Sequence, residues 1–455
     1  MTIPQIVGAA IFVGAYILIA FQIIDKTRVA LAGAALMLIL KLVDQHTAFH
    51  GHGETHGIDW NTIFLLLGMM IIVGITRHTG LFEWMGIKAA KAVRGHPIGV
   101  ILALSLVTAV ASAFLDNVTT VLLIAPVALV ICAQLGTDPV PYLISIVLAS
   151  NIGGTATLVG DPPNIMIASA AGLGFMDFIR YDTPVVLMIL VVFAVMVWFG
   201  LGPRVRVPDE RRQRVMALDE REAIRDRTLL KKCLFVLWLV LIGFIVHSYV
   251  HLEPATIALS GAALLLILLG RHPRVPHDMA PDEEFHWYHE IEWATIFFFI
   301  GLFIMVAGLV ELGIIKALGQ WLLDITGGNI VLLTFAILWF SAIASGIVDN
   351  IPFVATMNAL ILGMDPAAIH GLPADPVTHP AHHPAIFPLW WALSLGACLG
   401  GNFTLIGASA NVVVAGISKR DGHEIGFGRF MKYGIPVTFV AILISMVYLW
   451  FVFLR

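Results

Sequence analysis

Long apolar runs dominate this chain, and four of them break in the middle. Uninterrupted runs lie at about 5–24, 28–43, 61–78, 183–203, 232–250, 254–270, 292–311 and 434–454. A helix needs roughly 20 apolar residues to cross a hydrocarbon core about 30 Å thick. The broken runs are 98–135, interrupted at Asp116-Asn117, and 329–364, interrupted at Asp349-Asn350-Ile351-Pro352. The other two are 141–172, broken from Gly153-Gly154 through Pro163, and 386–418, broken from Gly400-Gly401 through Asn411. Gly, Pro and Asn do not continue a helix there. Non-helical backbone at membrane depth persists only inside protein or beside a water-filled cavity. The 455 residues are 59 % apolar and 12 % charged, against about 45–50 % and about 25 % for soluble domains. That excludes a soluble enzyme, a disordered chain and a nucleic-acid binder. A barrel would instead show short alternating segments. Cys132, Cys233 and Cys398 are too few and too scattered for a disulfide framework or a zinc cage.

The interruptions recur. Ile58-Asp59-Trp60-Asn61-Thr62-Ile63-Phe64 matches Ile291-Glu292-Trp293-Ala294-Thr295-Ile296-Phe297, and Asp116-Asn117 matches Asp349-Asn350 at the same offset. Gly154, Thr157, Gly160 and Asn164 match Gly401, Thr404, Gly407 and Asn411, all at one slightly larger offset. A half-chain has been duplicated, and the second copy is longer between the two landmarks. Each half reads as three spans, a re-entrant hairpin, a broken span and a last span. Five crossings is an odd number, so the halves are inverted. The expected fold is an all-α polytopic membrane protein of about ten transmembrane helices, two re-entrant hairpins and two broken helices. The first repeat is placed at 1–203, a charged linker at 204–231 and the second repeat at 232–455.

Charge sets the expected orientation. With the N-terminus outside, 22 of the 26 Lys and Arg fall inside, among them Lys26, Arg77, Lys91, Arg271, Arg274 and Arg429. Only Lys41, Arg180, Lys316 and Arg455 fall outside. The positive-inside rule favours this arrangement, with both termini outside and the linker inside, in the cytoplasmic (inner) membrane. The first run lacks a basic flank and a small-residue cleavage site, so it does not read as a signal peptide.

Hairpin tips and helix breaks of inverted repeats meet near mid-membrane, where helix ends offer unpaired backbone groups. Asp116, Asp161 and Asp349 are the carboxylates expected at depth, each costing roughly 2.5–3.5 kcal/mol to insert. Asp116 and Asp349 read equally as coupling groups or as caps of the helices that follow them. Asp161 stands apart, because its repeat partner is Ala408. A capping role would occur twice, whereas one coupling carboxylate suffices. Asn117, Asn350, Asn164 and Asn411 form matched pairs whose amides both donate and accept, or else close turns on their own backbone. Gly153, Gly154, Gly400 and Gly401 read as sites of close approach or positive φ. No Lys or Arg is expected among these elements, so a neutral solute or a cation fits better than a multiply charged anion. No G-x-x-x-x-G-K-[ST] loop is present, so energy must come from an ion gradient, the membrane potential or a partner. His46, His50, His52 and His56, and His370, His379, His382 and His383, fall in two outer loops. They read as solvated loops that gain charge in acid. His286 and His289 likewise form no H-E-x-x-H pattern. Neither metal nor cofactor is expected. Cys132 and Cys398 read first as packing, though thiolates bind trivalent arsenic.

The strings SAFLDNVTTVLLIAPV, SNIGGTATLVGDPPNIMI, ASGIVDNIPFVATM and LGACLGGNFTLIGASANVVVAGI resemble the ArsB/P-protein branch of the ion transporter superfamily. The resemblance covers nearly the whole chain. NhaD-type Na⁺/H⁺ antiporters are similar at the Asp-Asn and Gly-Asp positions. Dicarboxylate/Na⁺ symporters are more distant, and their Ser-Asn-Thr tips are absent. The resemblance implies a scaffold part, a moving transport part and elevator-like alternating access, often in a homodimer. It implies efflux of a small inorganic solute, arsenite or antimonite, driven by protons or the potential and in some operons assisted by an ATPase subunit. Carried over, Asp116, Asn117, Thr119, Asn151, Thr155, Asn164, Asp349, Asn350, Asn402, Thr404 and Asn411 line the substrate site, and Asp161, with Asp116 and Asp349, couples it. The alternatives are a Na⁺/H⁺ antiporter on the same aspartates and an anion permease, which would show itself by a basic residue reaching the site. A membrane-embedded hydrolase would need a nucleophile–base pair or a metal triad at depth, and no His falls there.

Overall fold

Twenty-one α-helices carry the chain in this computed structural model, which describes residues 2–21, 23–51, 57–201, 207–269, 286–379 and 382–455. His52, His56, Arg271 and Arg274 lie outside the described residues. The first half comprises Ile3–Ala20 (α1), Lys26–Ile39 (α2), Gln45–His50 (α3), Trp60–Arg77 (α4), Leu81–Ala92 (α5), Pro97–Ser112 (α6), Asn117–Leu135 (α7), Val140–Gly154 (α8), Pro162–Ala171 (α9), Phe175–Tyr181 (α10) and Thr183–Leu201 (α11). Asp209–Met216 (α12) lies between the halves. The second half comprises Arg227–Val250 (α13), Pro254–Leu269 (α14), Trp293–Glu311 (α15), Ile314–Thr326 (α16), Ile330–Ile347 (α17), Asn350–Leu362 (α18), Phe387–Gly400 (α19), Ser409–Arg420 (α20) and Phe427–Leu449 (α21).

The duplication is visible in helix starts. Helices α4 to α7 begin at one constant offset from α15 to α18, and α8 and α9 begin at a second, larger offset from α19 and α20. The extra length of the second copy has a place. Helix α18 ends earlier than its counterpart α7, and the connection after it runs over 363–386 instead of 136–139. Among the described residues, eight helices are long and apolar enough to cross a bilayer, and two of these, α7 and α17, are hairpin arms. Helix α2 is only 14 residues although the apolar run continues to 43. The helix closes at Leu40, Lys41 turns to φ 54°, and Leu42 and Val43 are buried as loop.

Aspartate caps start α4 and the helix after each hairpin break, α7 and α18. Asp59, Asp116 and Asp349 accept backbone N–H bonds from Thr62, Thr119 and Ile351, satisfying donors that a helix start leaves free. Packing then interlocks the repeats. Helix α4 of the first half lies on α14 of the second, and α2 lies on α15. A Cβ on Gly68 would stand 2.6 Å from the Ala258 backbone, and one on Gly301 would stand 2.7 Å from that of Ala30. Such small-residue seams let helices approach where the solvent is lipid. A second group packs around the hairpins: α6 on α8, α17 on α19, α7 on α20 and α18 on α9. The last two pairs again join opposite halves. Contacts are dense within each group and sparse between them. The frame is α1, α2, α4 and α13–α15; the body is built on the hairpins and broken helices.

Candidate functional site

Four helices of the body begin at one cavity of about 300 Å³. Its lining includes Asp116 and Asn117 at the start of α7, Asp161 and Pro162 at α9, Asp349 and Asn350 at α18, and Ser409 at α20. The frame closes it with Met69, Met70 and Val73 of α4, Glu292 and Thr295 at α15, and Lys26 at the start of α2. Four helix N-termini give the space a positive backbone potential.

Asp161 occupies the centre. It is 1 % exposed, and its two oxygens are shared between the repeats. Asn117 Nδ2 donates to Oδ1 at 3.4 Å and Asn350 Nδ2 donates to Oδ2 at 3.4 Å. The two hairpin tips therefore meet on one carboxylate, which caps no backbone N–H of its own helix. Asp116 and Asp349 do cap, and Asp349 also accepts from Lys26 Nζ at 2.9 Å and Ser409 Oγ at 2.8 Å. Lys26 Nζ donates to Ser409 Oγ as well, at 2.9 Å, and stands 5.0 Å from the Phe298 ring centre.

Lys26 corrects the expectation that no basic side chain reaches the central elements. Its Cα belongs to the turn at the basic end of the molecule. Its long stem carries the ammonium along apolar surface to a carboxylate that needs a counter-charge. Nothing local in the sequence marks this, because the partner is 323 residues away. Asp182, at the edge of the 183–203 run, is a further fully buried carboxylate.

The remaining residues expected at the site lie in a layer behind the cavity. Asn151 accepts from Asn117 at 3.1 Å and donates to Asn402 Oδ1 at 2.8 Å and Asn411 Oδ1 at 3.0 Å. Asn164 donates to the Thr155 and Thr157 carbonyls at 3.1 and 2.9 Å. Its repeat partner Asn411 donates to those of Gly401 and Thr404 at 2.8 and 2.9 Å. These amides pin the broken backbone. The hydroxyls of Thr155 and Thr404 go to the Asn151 and Gly346 carbonyls. Thr119 gives its backbone N–H to Asp116. Gly153 and Gly400 serve close approach: added Cβ atoms would stand 2.2 and 2.5 Å from the carbonyl oxygens of Ala109 and Ala342. Cys132 is buried in α7 away from the cavity, while the Cys398 thiol donates to Asn164 Oδ1 at 3.3 Å.

A second cavity, about 980 Å³, lies toward the other end, between α15, α18 and α9, lined by His50, Asp59, Glu311, Lys316 and Asp365 among others.

Residues 16–396 match the family model described as citrate transporter. An uncharacterized transporter of Mycobacterium tuberculosis, Rv2684, is 47 % identical over 446 residues, 98 % of each chain. The human P protein is 35 % identical over 522 residues, covering 97 % of this chain and 59 % of that protein. Among solved structures, the Alcanivorax borkumensis YdaH transporter superposes with a TM-score of 0.55 at 14 % identity, over 98 % of each chain. The chain belongs to the citrate transporter family and is an integral membrane transporter.

Proposed function

We propose that this member of the citrate transporter family is a cation-coupled secondary transporter that carries a small anion through the 300 Å³ cavity. The observation behind this reading is Lys26, an ammonium among four helix N-termini. It has three donors and spends two, on Asp349 and Ser409, which leaves one for a carboxylate or oxyanion. The space holds roughly ten water volumes at about 30 Å³ each, enough for a small polycarboxylate. Asp116, Asp161, Asp349 and Glu292 also line it. Four acids against one base admit an anion only when cations come with it. Asp161 is the coupling group, since it alone answers to both hairpin tips. Protonating Asp349 releases Lys26 to the substrate. The positive-inside distribution supports an orientation with Lys26 at the cytoplasmic side of the inner membrane and both termini outside.

A second reading is export of arsenite as neutral As(OH)₃. The paired amides of Asn117 and Asn350, which suit neutral hydroxyls, favour it, as does the Cys398 thiol beside Asp161. Flux of citrate, arsenite, antimonite and Na⁺ into proteoliposomes at two pH values separates the readings. Gradient-driven citrate flux that is lost in Lys26→Gln is the expected result. Arsenite flux without anion flux would promote the second reading, and Na⁺/H⁺ exchange without either would indicate an antiporter.

A further inference from the structure

Asp182 is a buried carboxylate with no role in the cavity. It is 0 % exposed, its Oδ1 has no hydrogen-bond partner, and its Oδ2 lies 2.5 Å from Ser394 Oγ. No basic side chain answers it among the described residues. The ionisable groups facing it are Cys398 of α19, Tyr448 of α21 and the adjacent Tyr181, none of which is a cation. Next along α10, Arg180 lies over the Tyr181 ring instead, and Asp177 accepts the Gly174 N–H. An ionised Asp182 would be a bare charge in a dry interior, which a protein avoids by neutralising the group.

Hydrogen counting points the same way. Asn164 gives both amide hydrogens to backbone carbonyls, so its Oδ1 can only accept. Ser394 Oγ lies 2.8 Å from that Oδ1 and Cys398 Sγ lies 3.3 Å from it. Ser394 has one hydrogen for two neighbours. When Asp182 holds a proton, Asp182 donates to Ser394 and Ser394 donates to Asn164. Asn164 Oδ1 has two lone pairs, so it accepts the Cys398 thiol beside Ser394.

We propose that Asp182 is a second proton-binding site of the transport cycle, whose protonation turns the Ser394 hydroxyl toward or away from Asn164 at the break before α9. When Asp182 releases its proton to water, the Ser394 hydroxyl turns to Asp182. Asn164 Oδ1 is then left to the thiol alone. This rests on the cation-coupled reading for its use in transport, but the site itself does not.

The test is infrared difference spectroscopy of the full chain in lipid vesicles, titrated from acid to alkaline pH without substrate. A protonated-carboxyl C=O band at neutral pH that disappears in Asp182→Asn is the expected result. In Ser394→Ala the band stays but moves in frequency. A wild type with no such band, or an unchanged band in Asp182→Asn, overturns the proposal. If Asp182→Asn does not fold, an unshifted band in Ser394→Ala overturns it equally. Failure of anion flux with the band behaving as stated would refute the functional reading and leave the proton site standing.

Discussion

At the residue scale the repeats agree at the hairpin tips and part company at the two residues where ions would act. Asp116 and Asp349 answer each other across the repeat, as do Asn117 and Asn350, but Asp161 faces Ala408 and Lys26 corresponds to Leu259. One carboxylate thus takes both tips, and one of two equivalent aspartates has a cation. Asp161→Asn keeps an amide of the same shape between Asn117 and Asn350. Its expected effect is loss of gradient-driven accumulation while downhill exchange of substrate continues. Accumulation at the wild-type level in that variant removes Asp161 from coupling. Lys26→Gln leaves Asp349 without its cation. Breaking a fully buried pair costs about 3–5 kcal/mol, and since 29 % of the Lys26 side chain remains exposed, about 1–3 kcal/mol is the expectation here. Asp349→Asn added to Lys26→Gln should recover most of it. Melting curves of the two single variants and the double variant give the coupling, and additive effects would show the pair to be energetically idle. The central aspartates and tip asparagines were readable in the sequence because a polar pair inside an apolar run has few explanations. Lys26 and Asp182 were not. Their roles depend on where α2 and α19 come to lie, and no local pattern encodes that.

At the element scale, seams of small residues and caps decide how the helices meet. Gly68 and Gly301 hold equivalent positions in the two repeats and do the same work, one against Ala258 and the other against Ala30. Gly301→Val forces α15 off α2, and overpacking of this kind costs about 1–3 kcal/mol. Gly14 of α1 has nothing within 4 Å of an added Cβ, so Gly14→Ala serves as the control. A lower melting temperature for Gly301→Val than for Gly14→Ala is expected, and equal values would deny the seam any importance. The basic end of α4 is held differently. Glu290, in a 3₁₀ turn at Trp287–Glu290, fills the space beside Gly74 and bonds His78 at 2.7 Å and Arg77 at 3.2 Å. Burial pushes the Glu290 carboxyl up. The His78 hydrogen bond and the charges of His78, Arg77 and His289 outweigh it and hold the group below its ordinary value of 4.5. A carboxyl lowered on folding stabilises above its unfolded value, and that stability is lost as pH falls through the folded value. The wild type should therefore lose stability relative to Glu290→Gln below about pH 4.5. Parallel stability–pH curves would refute the clamp. Helix positions were largely legible from apolar length and Asp caps. The early end of α2 was not, because Leu42 and Val43 stay buried after the helix stops.

At the scale of the whole molecule, the repeats interlock twice, yet the two interlocks barely touch each other. The frame joins α2 to α15 and α4 to α14, and the body joins α7 to α20 and α18 to α9. Each set is self-paired across the duplication, so neither can come apart along the line between halves. The seam left free runs between frame and body, and the cavity lies on it. Duplication and inversion could be inferred from spacing and an odd crossing number, but the partition could not, because it cuts across the repeats. A frame-and-body partition predicts that transport requires sliding along that seam. Tyr16 of α1 crosses it. Its hydroxyl donates to the Pro352 carbonyl and lies 3.0 Å from Thr356 Oγ1 of α18. Neither Tyr16 nor Thr356 lines the cavity. Cys132, Cys233 and Cys398 are buried, so they offer little competing reactivity. Tyr16→Cys with Thr356→Cys, bridged by a short cleavable bis-thiol reagent, should bind substrate but not translocate it, and flux should return when the bridge is cut. Transport at an unchanged rate through the bridged protein would mean that frame and body move as one. The coupling residues would then have to act by local gating of the hairpin tips.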